Sequence, residues 1–252
     1  MENVQEVKIK DLSIGRGRPK ICVPIVADTK EGILLEAERA QNSVADLVEW
    51  RGDLWQEELT EENILEMIAS LQSVLKTKPL LFTIRTKAEG GAFAGDIRQY
   101  TQVILAAARK ADLVDVEVFA QGLDAADFIR RIHKEGTSVV ASNHDFTKTP
   151  AKEEIVKRLK QMDEYGADIL KIAVMPQNKK DVLTLLEATA EMEGQSSKPV
   201  VTMSMGQLGK ISRICGQTFG SAITFGSLTK ASAPGQIDLE DLRNILEIIE
   251  KQ

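Results

Sequence analysis

The chain has 252 residues, 43% hydrophobic and 28% charged, a composition that supports one large packed core and excludes a disordered chain. Its formal net charge of -6 and sequence pI near 5.2 provide no global positive field, so neither nucleic acid nor an anionic membrane is an expected partner. Cys22 and Cys215 lie far apart without metal-ligand spacing, and no leader-like or membrane-length apolar run occurs, so the expectation is a cytoplasmic protein with no metal.

Val4 to Ile9 alternates apolar and polar residues and is expected to form a small hairpin plugging one end of the fold. From there, short β-branched runs alternate with helical periodicity. Ile21 to Val26 reads as a strand and Lys30 to Asn42 as a helix, followed by strand Leu47 to Trp50 and helix Glu62 to Lys76. The rhythm continues with strand Leu80 to Ile84 and helix Asp96 to Lys110, then strand Leu113 to Val118 and helix Asp124 to Lys134. Next come strand Ser138 to Ser142 and helix Lys152 to Tyr165, then strand Ile169 to Val174 and helix Lys179 to Glu193. Strand Val200 to Met203 precedes a segment, Leu208 to Gly216, that leaves room for only a short helix; strand Ala222 to Phe225 and helix Leu239 to Lys251 close the chain. Gly136, Gly166 and Gly194 each follow a helical run, where a left-handed cap residue is wanted. Eight alternating units predict an α/β fold, a (β/α)8 TIM barrel forming one domain over residues 1–252, since fewer strands are usual in a doubly wound sheet.

In such a barrel the chemistry sits at the C-terminal ends of the strands. The polar residues found there are Glu49 and Arg51, Arg85, Asp115 and Glu117, Asn143 and His144, and Lys171. Lys171 lies within Asp168-Ile-Leu-Lys-Ile-Ala-Val174, flanked by apolar residues on both sides. An inward lysine, desolvated and close to cations, would release the neutral amine that attacks a carbonyl. Equally, it could be an ion-pair partner of Asp115 or Glu117, and position alone does not separate the two. The adjacent strand ends in Val139-Val-Ala-Ser-Asn-His-Asp145, which puts an imidazole beside the amine: the equipment for proton transfer alpha to a ketone. His133, in the last turn of a predicted helix, has no catalytic part in this reading. Arg51, Arg85 and Arg213 carry planar donor forks suited to hydroxyls and a carboxylate; Arg213 falls in a predicted loop region.

These residues resemble the class I 3-dehydroquinate dehydratases. The resemblance rests on Asp115-Val-Glu-Val118, a spacer of twenty residues and Val139-Val-Ala-Ser-Asn-His-Asp145. Glu49-Trp-Arg51, Thr83-Ile-Arg-Thr86 with Glu89-Gly-Gly91, Leu170-Lys-Ile-Ala173, Thr202-Met-Ser-Met205, Ser212-Arg213 and Ala233-Pro-Gly-Gln236 extend it along essentially the whole chain. The resemblance implies an imine on Lys171, His144 as general acid and base, and Glu89 orienting His144. It further implies a carboxylate clamp of Arg213, Ser232 and Gln236, ring-hydroxyl contacts by Glu49, Arg51 and Arg85, and an apolar wall of Met203, Met205 and Phe225. Read without the family, those two methionines and Phe225 are core packing. A small-molecule substrate (3-dehydroquinate), no cofactor and a homodimer complete what the resemblance implies.

Some family members place a substrate-contacting serine near the end of the first strand, where this chain has Pro24. The chemistry does not depend on that hydroxyl. Lys230 to Gln236 has the composition of a lid, with small residues and a glycine. Two other functions fit parts of the pattern. An aldolase shares the strand-six lysine but would form no conjugated enone, and a non-catalytic binder on the same scaffold would tolerate loss of Lys171 or His144.

Overall fold

The computed structural model describes residues 5–228 and 233–250. It opens with an antiparallel hairpin of β1 (Val7–Ile9) and β2 (Leu12–Ile14). The hairpin lies later than the alternation from Val4 suggests, and it turns through Lys10, whose φ is 53°. A lysine in the left-handed region is not a turn signal, which is why the second arm was not legible.

Eight units follow in the predicted order: β3 (Lys20–Ile25) and α1 (Lys30–Gln41), β4 (Leu47–Arg51) and α2 (Glu61–Leu75), β5 (Leu80–Thr83) and α3 (Ile97–Ala108), then β6 (Leu113–Glu117) and α4 (Ala125–Lys134). The second half comprises β7 (Ser138–Asp145) and α5 (Lys152–Glu164), β8 (Ile169–Val174) and α6 (Lys179–Glu193), and β9 (Val200–Ser204) with α7 (Gly206–Ile214) and the single turn α8 (Gly216–Phe219). β10 (Ile223–Ser227), the short β11 (Ile237–Asp238) and α9 (Leu239–Glu250) complete it. Side-chain caps start the helices where the sequence offers Thr29, Thr60, Asp124 and Asn178, and Asp96 with Gln99 forms a full capping box.

Strands β3 to β9 pair in parallel with their chain neighbours, and β10 returns to pair with β3. A bridge between Val200 and Ser221, with Ala222 N donating to Val200 O at 2.7 Å, joins β9 to β10 and closes the ring. The fold is thus the expected TIM barrel, with β11 added beside β10.

Alternation along each strand sorts the side chains into two apolar sets. Val23, Val48, Phe82, Val114, Ala141 and Leu170 face the helices. Cys22, Leu47, Leu81, Leu113, Val140, Ile169, Val201 and Ile223 form an inward layer with Ile9 and Ile14 of the hairpin, so the hairpin plugs that end of the barrel. Two residues further along each strand the inward position changes character: Pro24, Glu49, Thr83, Asp115, Ser142, Lys171, Met203 and Phe225. Two further still stand Arg51, Arg85, Glu117, His144, Ala173 and Met205. One end of the barrel interior is therefore apolar and plugged, while the other is charged and open.

Candidate active site

Lys171 is 4% exposed, and its position opposite Ser142 in the β7–β8 register points it into the barrel. Its Nζ lies 3.1 Å from Asp115 Oδ2 and 3.7 Å from Glu49 Oε1, with the Phe225 ring centroid 4.8 Å away. The expectation of nearby cations is therefore corrected: carboxylates stand closest, because inward positions on β4 and β6 carry acids. Burial alone would raise the Asp115 carboxyl, yet Arg85, Lys171 and Ser142 hold it below the ordinary range.

His144 ends the inward row of β7. Its Nδ1 is 2.8 Å from Glu89 Oε2, and its backbone N donates to the same oxygen at 2.9 Å. Nε2 is thus the ring nitrogen left for the cavity. Burial, reinforced by Arg85, Lys171 and Arg51, holds the imidazole well below its usual 6.5. Asn143 Nδ2 donates to Glu89 Oε1 at 2.9 Å. Burial pushes the Glu89 carboxyl up to about 8 against the pull of Arg85. The two groups share a hydrogen bond and titrate as a unit, and burial favours the form of that unit with one added proton.

Glu89 is placed by a tight turn, Lys87–Glu89, capped by Thr86. Gly90 follows with φ of 80° and Phe146 against its α-carbon, and at Gly91 a β-carbon would collide with Arg85 O. The Glu-Gly-Gly run is therefore the backbone chemistry this turn requires.

Arg85 is 4% exposed. It donates from NH1 to Glu117 Oε1 at 2.9 Å and Ser142 Oγ at 3.0 Å, and from NH2 to Asp115 Oδ1 at 2.9 Å. Arg51 grips Asp53 through Nε at 2.7 Å and NH2 at 2.8 Å. Glu49 Oε1 accepts from Thr83 Oγ1 at 2.9 Å.

Arg213 lies on α7 rather than in a loop, and it is 1% exposed. Its contacts are Phe225 O at 3.5 Å, Pro234 O at 3.2 Å and the Met203 sulfur at 3.9 Å. Its Nε is buried with no hydrogen-bond partner, and no carboxylate among the described residues forms an ion pair with it. Desolvation alone pulls the guanidinium down to about 10.

A cavity of about 590 Å³, counted out to its open mouth, unites these groups. Its walls include Glu49, Arg51, Arg85, His144, Lys171, Met203, Met205, Arg213, Phe225 and Gln236. Glu89 stands behind His144, and Ser232 lies outside the described residues, as does part of the Lys230 to Gln236 segment. Pro24 is buried opposite Glu49 in the β3–β4 register.

Sequence reading did not give Phe146, stacked 6.5 Å from His144, or Arg158, which donates to Asn143 Oδ1. Neither lies in an apolar strand run, the signal that exposed the others. Among the described residues no group of three or more His, Cys, Asp or Glu side chains could hold a metal ion, and no helix is long and apolar enough to cross a membrane.

Comparison with known proteins points one way. The type I 3-dehydroquinase family matches residues 21–252. The chain is 45% identical to a 3-dehydroquinate dehydratase of Listeria monocytogenes over 251 residues, 99% of this chain and 100% of that one. It is 49% identical to that of Enterococcus faecalis over 251 residues, 98% and 99% of the two chains. A solved type I 3-dehydroquinate dehydratase from Clostridium difficile, with covalently modified comenic acid, has a TM-score of 0.94 at 44% identity over 98% of this chain and 99% of that one.

Proposed function

Because the chain belongs to the type I 3-dehydroquinase family, we propose that it is a hydro-lyase converting 3-dehydroquinate to 3-dehydroshikimate and water, the third step of the shikimate pathway toward chorismate and the aromatic amino acids. The observation that carries this reading is one cavity that joins an amine, an imidazole tied through Nδ1, and a buried guanidinium with no anion against it among the described residues. A keto acid matches all three.

In this reading Lys171 Nζ gives up a proton and attacks the ketone carbon, and the carbonyl oxygen leaves as water with one proton from the attacking nitrogen and the one given up before, giving a protonated imine that draws electrons from the alpha carbon. His144 Nε2 takes the alpha proton while Glu89, as the carboxylate, accepts the hydrogen bond from Nδ1 and orients the ring. The electron pair enters an enamine, which expels the beta hydroxyl as His144 returns the proton to it, so that water leaves. Hydrolysis of the remaining imine consumes one water and frees both the conjugated enone and Lys171. No step calls for a metal or a cofactor.

Arg213, with Ser232 and Gln236, takes the substrate carboxylate, and Met203, Met205 and Phe225 form the apolar wall. Glu49, Arg51 and Arg85 face the ring hydroxyls. With its NH1 and NH2 already bonded to Glu117, Ser142 and Asp115, Arg85 acts chiefly by keeping Asp115 anionic beside Lys171. That a Clostridium difficile relative was solved with covalently modified comenic acid supports a covalent reading.

The test follows ultraviolet absorbance of the enone with 3-dehydroquinate in chelator-treated buffer. Turnover by the intact protein that falls by roughly 10⁴-fold or more in Lys171→Ala and His144→Ala supports the reading. An inert intact protein overturns it. The same reading makes the protein a cytoplasmic homodimer; light scattering on an eluting sample at twice 27.8 kDa supports the dimer, and a 27.8 kDa species argues against it.

A further inference from the structure

The His144–Glu89 pair is connected to the outer helical layer through one amide. Asn143 Nδ2 donates to Glu89 Oε1 at 2.9 Å, while Asn143 Oδ1 accepts from Arg158 NH1, also at 2.9 Å. Arg158 belongs to α5, is one quarter exposed, and is steadied by Nε donation to Glu154 Oε1 at 2.7 Å. An amide has an accepting end and a donating end of nearly the same shape, and its orientation follows from its partners. A guanidinium has donors only and does not lose its proton. It can therefore bond only the oxygen end of Asn143, and the nitrogen end must then face Glu89.

The direction matters chemically. An N–H aimed at Oε1 favours the carboxylate, whereas an oxygen aimed there would favour the protonated acid. Every charged group packed around Glu89 enters this balance. Asp115 and Glu117 from β6 favour protonation along with burial, while Arg85, 3.7 Å away, and the Asn143 amide oppose it. His144 from β7 shares the proton, with Lys171 and Arg51 beyond it. The opposing effects leave Glu89 titrating near 8, close enough to neutral pH for one hydrogen bond to shift the population substantially.

We propose that Arg158 is a positioning residue for the reaction: by fixing the Asn143 amide it favours the carboxylate form of Glu89, the form that keeps the His144 proton on Nδ1 and leaves Nε2 free as the base. Only the last link, from Nε2 to turnover, rests on the dehydratase reading. Arg158 lines no part of the main cavity.

The experiment compares intact protein, Arg158→Met and Arg158→Lys by two measurements. The first is a ¹³C NMR titration of the Glu89 carboxyl without substrate, its resonance assigned by its loss in Glu89→Gln. The second is kcat against pH with 3-dehydroquinate. In Arg158→Met the amide is free to turn, so the Glu89 midpoint should rise by about one pH unit. On the acid limb kcat should then fall about tenfold and recover at higher pH, because a one-unit change is a tenfold change in the proton-free population. Arg158→Lys, still a donor without an acceptor, should restore part of both effects. An unmoved Glu89 midpoint, or a loss of kcat equal at every pH, would overturn the proposal. A moved midpoint in a protein that fails to turn over 3-dehydroquinate would support the Arg158 link and sink the dehydratase reading instead.

Discussion

Arg85 and Arg213 are both buried on the walls of one cavity, yet their surroundings are opposite. Burial by itself weakens the charged form of each. Around Arg85 the carboxylates of Asp115, Glu117, Glu89 and Glu49 more than offset that loss and raise its proton affinity. Around Arg213 no charged group among the described residues offsets it, and its affinity drops. The β5–β8 side of the cavity satisfies its own charges before any ligand arrives. The α7 side holds a desolvated cation against two carbonyl oxygens and a thioether, arranged to be completed by an anion. On the proposed reading, an arriving carboxylate would gain most of its electrostatic attraction on one side of the cavity, and the other side would keep the proposed catalytic groups fixed.

The most severe way to break this contrast is Arg85→Met. It would leave Asp115 and Glu117 buried with part of their compensation removed, so folding stability is expected to fall by about 3–5 kcal/mol. Urea denaturation measures it directly. A loss below about 1 kcal/mol would show that water or relaxation compensates these acids and that the self-neutralised description is wrong.

Arg213→Met should behave in the opposite sense. Removing a buried cation that lacks an anion is expected to leave stability unchanged or raise it by about 1–3 kcal/mol, while KM for 3-dehydroquinate rises roughly 100-fold through loss of a charge-assisted contact. Melting curves with and without substrate would sharpen the point: substrate should raise the melting temperature of the intact protein far more than that of the variant. A destabilised variant with unchanged KM would mean that Arg213 is a structural strut.

How much of this was legible in the sequence follows from where each residue lies. Lys171, Glu49 and His144 sit two or four residues beyond an apolar inward position on their strands, so the period of two that marks a strand also marks its polar interruptions. Neighbours fixed by pairing between distant segments were not legible: nothing in the run around Arg85 reveals that β6 and β7 deliver Asp115, Glu117 and Ser142 to its guanidinium. Arg158 was hidden differently, since a cation on a polar helix face reads as solvated. The start of α7 at Gly206 was missed because the helix approaches β9 so closely that a β-carbon at Gly209 would collide with Ser204 O, a constraint of packing that carries no helical periodicity.

The smallest expected effect tests whether the self-neutralised side is fully balanced. Four acids, Glu49, Glu89, Asp115 and Glu117, surround two cations, Arg85 and Lys171, while Arg51 is occupied with Asp53. The excess of acids is relieved by holding a proton on the Glu89–His144 unit, which fits a Glu89 carboxyl raised to about 8. Below that value the extra proton blocks the base; above it Glu89 is ionised, His144 donates Nδ1–H to it, and Nε2 is available. Raising the pH therefore increases the active fraction on the proposed mechanism, and kcat at pH 7 should be about one tenth of the plateau it approaches above about pH 9. Glu89→Gln cannot ionise, so its much lower kcat should lose that slope. A kcat that is level or falling between pH 7 and 9 in the intact protein would mean that the acids around Lys171 are already balanced, and that the proton assigned to Glu89 resides elsewhere.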